Sequence, residues 1–90
     1  MAFAESKLDA PCEELGPESK GEDLYRMGLV YSTGLGVAVD YITAHKWFNL
    51  AALRGYDEAK QSRKELAEYM SSEEIAAAQK AAREWLALAH

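Results

Sequence analysis

The chain is short of most features that would give a 90-residue protein chemistry of its own. It has one cysteine, Cys12, so no disulfide can close within it and packing must hold the fold. A lone thiol fits a reducing compartment, and the cytoplasm is the expected location. No apolar run approaches the roughly 18 residues of a membrane-spanning helix. The opening segment, Met1 to Ala10, has neither the basic stretch nor the unbroken apolar core of a secretory signal, so no membrane association is expected. No basic stripe stands out, which removes the electrostatic footprint of a nucleic-acid binder. One cysteine and two distant histidines, His45 and His90, do not supply converging ligands, so neither metal nor cofactor is expected.

What is present is acid at one end and helix-forming sequence over the rest. The net charge is -5, and residues 1–23 carry all of it: seven acids stand against Lys7 and Lys20, while residues 24–90 balance. Residues 1–21 also hold both prolines, Pro11 and Pro17, and show no sustained period. They read as an acidic, flexible or loosely docked arm, with Phe3, Leu8 and Leu15 as its apolar anchors. Residues 22–90 read as one helical domain. Two Trp, five Tyr and Phe48 supply its large apolar pieces, the chain's other Phe being Phe3 of the arm, and its alanines suit helices that approach closely.

The spacing predicts a first helix from Glu22 or Asp23 to about Thr33. Leu24, Met27 and Tyr31 recur at helical intervals on one side, with Gly28 beside them. A glycine inside a helix costs up to about 1 kcal/mol relative to alanine, and close approach of a neighbouring helix would offset it. Gly34 suits the left-handed residue that ends a helix, and Gly36 a second backbone position closed to larger residues. Asp40 is placed to cap a second helix reaching about Arg54, with Ala44, Trp47, Phe48 and Ala51 on one face, and Gly55 stops it. A third helix is expected over about Asp57 to Met70, with Ala59, Leu66 and Met70 inward and Arg63 in the same row. Ser71 and Glu74 have capping-box spacing and open a fourth helix to about Ala89, burying Ile75, Ala78, Ala82, Trp85, Leu86 and Ala89. The short loops predict two antiparallel hairpins, 22–56 and 57–90. A shift of 38 residues lays Tyr31 on Tyr69, Ala44 on Ala82, Trp47 on Trp85, Leu50 on Leu88 and Ala51 on Ala89. The second hairpin lacks the loop glycines, as a degenerate terminal unit would.

These residues resemble the Sel1-like repeat family, a relative of the tetratricopeptide repeats. The resemblance rests on Met27-Gly28, Tyr31, Gly34-Leu35-Gly36-Val37, Asp40, Ala44, Trp47-Phe48, Ala51-Ala52 and Gly55, and covers about 36 of the 90 residues. Residues 57–89 look like the helical segment that often closes such arrays in bacterial members. Asp23, Leu50 and the pair Ala38-Val39 depart from the pattern, and Asp23 suits the start of an array. The resemblance implies an all-α, right-handed α/α superhelix acting as an adaptor or scaffold without catalytic residues.

Sharper readings fare less well. Gly34-Leu35-Gly36 follows a helix rather than a strand and lacks a third glycine, so it reads as a turn and not a phosphate loop. Ser32, Asp40 and His45 are the residue types of a hydrolase triad, but nothing in their spacing builds one, and no catalytic residue is assigned. His45 is turned about 100° from Ala44 around the helix, which predicts a rim or solvent-facing position. Gly28, Tyr31, Gly34, Gly36, Asp40, Ala44, Trp47, Gly55 and Trp85 are therefore expected to build the fold. Tyr25, Leu29, Tyr41 and Tyr56 fall beside the apolar rows and are the expected contacts for another protein or peptide. The repeat end near Leu24 to Val30 is expected to be open, where a second copy could pair weakly. The rival expectation makes the acidic arm the partner-binding or regulatory element and the helical body its support.

Overall fold

Four helices account for most of the chain in the computed structural model, which describes residues 15–16 and 19–88. They are α1 (Gly21–Thr33), α2 (Tyr41–Leu53), α3 (Asp57–Ala67) and α4 (Ser72–Leu88), and no strand occurs among the described residues. The fold is all-α. Phe3, Leu8, Cys12, Ala89 and His90 lie outside the described residues.

Local chemistry sets the helix ends. Asp40 takes an extended backbone, its carboxylate accepts from the Thr43 N–H at 3.1 Å, and its other oxygen accepts from the Thr43 hydroxyl at 2.8 Å. Such a cap satisfies an orphan donor of the first turn and stabilises the helix by about 1 kcal/mol. Ser71 and Glu74 form a reciprocal capping box: the Glu74 N–H donates to Ser71 Oγ at 3.0 Å, and the Ser71 N–H to Glu74 Oε1 at 2.9 Å. At the other ends Gly34, Gly36 and Gly55 all have positive φ, with Gly34 at 76° donating its N–H to the Val30 carbonyl at 2.9 Å. A Cβ in that conformation crowds the following carbonyl, which is why glycine occupies it.

Helix α3 stops three residues short of the expected Met70. Glu68, Tyr69 and Met70 instead donate to the carbonyls three residues back, Glu65, Leu66 and Ala67, tightening the chain before the Ser71 cap. Tyr69 is thereby left 76 % exposed.

The core is built around α2. Each extensive helix–helix contact involves it, with α1, α3 and α4 all packed on its sides. The second expected hairpin is therefore looser than the first, because α3 and α4 meet α2 more than they meet each other. Leu24, Met27, Trp47, Leu50, Ala51, Ala59 and Ala82 form one buried cluster, and Ala44, Phe48 and Leu66 a second. The two indoles meet edge to face, Trp47 against Trp85, with ring centroids 5.6 Å apart at 75°. Edge-to-face geometry sets the positive rim of one ring on the negative face of the other. Lys46 adds a cation 4.4 Å from the Trp47 ring centroid.

Gly28 explains how closely α1 lies on α2. A Cβ there would overlap the Phe48 ring, so the missing side chain is what lets the two helices meet. The chain before α1 is also held: Leu15 packs against the first cluster, and an Arg54 guanidinium N–H donates to the Ser19 carbonyl at 3.2 Å. Within the stretch Leu24 to Val30 that was expected to be open, Leu24, Met27 and Gly28 are buried, while Arg26 and Leu29 are exposed. No helix among the described residues is long and apolar enough to cross a membrane.

Candidate functional site

A groove opens where the C-terminal part of α1, α2 and the C-terminal part of α3 converge. Leu29 and Ser32 of α1 line one side, Tyr41 and Phe48 of α2 also contribute to its walls, and Ser62, Glu65 and Leu66 of α3 line the other with Tyr69 just beyond. The local pattern accounts for each. Leu29 and Ser32 are three apart on α1, and Ser62, Glu65, Leu66 and Tyr69 follow the three- and four-residue spacing of a single helical face. Phe48 is 2 % exposed and belongs to the core, so only its edge can reach the groove, whereas Leu29 and Tyr41 are each 38 % exposed. The groove is open to solvent and its volume is about 250 Å³, below the roughly 300–1,000 Å³ of small-molecule sites.

The electrostatics of the groove are one-sided. Among the described residues that line it, Glu65 is the only carboxylate and there is no lysine, arginine or histidine. Glu65 accepts from Gln61 Nε2 at 3.0 Å. Other acids are differently engaged: Glu22 and Asp23 pair with Arg26, Asp57 with Lys60, and Glu84 with Lys80.

The expected contact residues divide into two groups. Leu29 and Tyr41 enter the groove. Tyr25 and Tyr56 pack together with centroids 5.0 Å apart and rings tilted by 37°, and Tyr25 also packs on Phe48 at 5.5 Å. The Tyr25 hydroxyl is 3.2 Å from Ser62 Oγ, so this ring ties α1 to α3 beside the groove. A hydrogen bond to Glu58 raises the Tyr56 pKa, with desolvation adding to it. Ser62, Glu65, Leu66 and Tyr69 were not among the expected contacts. Leu66 read as core, and only Tyr69, an aromatic just before a capping box, carried a local hint.

His45 corrects its expected position. It is 3 % exposed, and its Nδ1 has no hydrogen-bond partner among the described residues; the same holds for Trp47 Nε1. Helix α2 is covered on several sides, so a residue off the apolar row is buried as well. Burial lowers the His45 pKa and the nearby positive Arg63 lowers it further. Arg63 is itself fixed by donating to Asn49 Oδ1 at 2.6 Å. His45, Ser32 and Asp40 are not joined by any hydrogen bond: Ser32 donates to the Leu29 carbonyl, Asp40 caps α2, and His45 is enclosed. Among the described residues no three His, Cys, Asp or Glu side chains converge as metal ligands would.

Compared with protein-family models, curated proteins and solved structures, the chain matches none. The functional reading therefore rests on the groove and on the helices that form it.

Proposed function

We propose that this chain is a non-catalytic protein-interaction module, an adaptor or scaffold that takes a segment of another protein in the groove between α1 and α3. The observation that carries the reading is the groove itself: Leu29, Tyr41 and Tyr69 leave apolar and aromatic surface exposed around a volume that admits side chains. Tyrosine in such a setting offers a large rigid ring at small entropic cost and a hydroxyl for a polar contact. A shallow groove along helices is also a common way of receiving an extended or helical peptide.

The Sel1-like, tetratricopeptide-like arrangement is part of the same proposal. In its favour, α2 and α4 are related by 38 residues, bury Ala44 and Ala82 in equivalent positions, and pack Trp47 on Trp85. The loop of Gly34 and Gly36 also adopts the conformations that such a helix–turn–helix unit needs. On this reading the chain is a short α/α superhelix with one full unit, 22–56, and a terminal one, 57–90.

Capture of partners from the native cell on immobilised chain, run beside Leu29→Glu and Tyr69→Ala, tests the reading. Both positions are exposed, so the variants are expected to keep the helical circular-dichroism spectrum and lose the captured protein. Retention of the same partner by both folded variants overturns the groove. Loss of capture on removing residues 1–14, with the groove variants unaffected, would transfer the function to the acidic arm.

A further inference from the structure

Resting on that groove reading, we propose that the partner segment presents a basic side chain, arginine or lysine, to Glu65 next to an apolar side chain seated over Phe48 and Leu66. Three features of the groove lead there. Its one formal charge is negative, and no cation of the chain lies within ion-pair distance of Glu65 among the described residues. The carboxylate accepts from Gln61 Nε2 at 3.0 Å through one oxygen, so a lone-pair direction is open to a further donor. Tyr41 and Tyr69 line the same groove as Glu65. Aromatic faces beside a carboxylate are the surroundings in which a guanidinium or ammonium gains both a cation–π contact and a charge-assisted hydrogen bond.

The opposite chemistry is disfavoured on the same grounds. An acidic partner segment would place a second carboxylate near Glu65 with no cation in the groove to offset it. A purely apolar segment would cover Leu29 and Leu66 but leave the Glu65 carboxylate to be desolvated unpaired, which opposes binding. A segment with an apolar residue and a nearby cation satisfies both halves of the groove. The acidic residues 1–14, with Glu5, Asp9, Glu13 and Glu14 against Lys7 alone, have the wrong sign for it.

The test uses the full chain, labelled with nitrogen-15, and two blocked octapeptides of alanine and serine that carry one leucine and either one arginine or one glutamate. Amide shifts are followed by NMR at low and at high salt. The leucine–arginine peptide is expected to perturb Leu29, Tyr41, Glu65, Leu66 and Tyr69, and to bind about 3- to 5-fold more tightly than the glutamate peptide. Glu65→Gln should erase that preference, and Glu65→Lys should invert it. Equal affinity of the two peptides for the wild-type groove overturns the basic-partner proposal and leaves the groove reading standing. Shifts that avoid the groove with either peptide, or no shifts at millimolar peptide, overturn both.

Discussion

Helices α2 and α4 carry nearly the same apolar register and reach different degrees of burial. Ala44 and Ala82 are both enclosed, at 0 % and 2 % exposure, whereas Leu50 is 1 % exposed and its counterpart Leu88 is 86 % exposed. Trp47 is buried to 2 % and its partner Trp85 only partly. The difference comes from neighbours: α2 is packed by α1, α3 and α4, and α4 is packed chiefly by α2. A helix at the centre of a stack buries almost its whole circumference, while one at the edge buries a stripe. The same side chain at the same register is thus core in one and surface in the other.

The largest effect expected on this contrast is at the indoles. Trp47→Ala should lower stability in urea by about 3–5 kcal/mol, and Trp85→Ala by less, in proportion to its smaller burial. Equal losses would mean that the two helices are equally enclosed and would break the comparison. Leu50→Ala is expected to cost about 2–5 kcal/mol, and Leu88→Ala to stay within about 0.5 kcal/mol of wild type. A large loss at Leu88 would place that residue in an interface.

Smaller changes sharpen the picture of α2. Gly28→Ala adds a methyl against Phe48, and overpacking of this kind costs about 1–3 kcal/mol. Asp40→Ala removes the cap of α2 and should cost about 1 kcal/mol in the same denaturation measurement. For His45 the sign follows from linkage. Its folded pKa is lowered, so the unfolded chain binds the proton more tightly. The stability contribution is complete above about 6.5, the ordinary histidine value, and is lost as pH falls through that region toward the folded pKa. Denaturation midpoints between pH 7.5 and 5.5 should decline in the wild type and stay flatter in His45→Gln, and parallel slopes would show that His45 is not the group responsible.

Much of the local architecture was legible in the residues. The Asp40 cap, the Ser71–Glu74 box, the left-handed glycines and the rows through Leu24, Trp47 and Ala82 all depend on chain neighbours or on helical spacing. The groove was half legible. Leu29 and Tyr41 were expected contacts, but Ser62, Glu65 and Leu66 face them from a helix more than 20 residues further on, and periodicity within α3 does not say which helix lies opposite. The burial of His45 and Leu50 escaped for a related reason, since a single helical period marks one buried face and α2 has several.

What the sequence alone determined is where each helix begins and ends and which stripe of each is apolar, because capping, backbone handedness and hydrophobic period act over a few residues. Only the tertiary structure decided that α2 would be the shared core, that Tyr25 would bind two helices together, and that Glu65 would line a groove with Tyr41 and Tyr69 and no cation among the described residues. Those outcomes depend on which surfaces meet across long separations in the chain, and each is set by packing at close range between helices rather than by the preferences of any one of them.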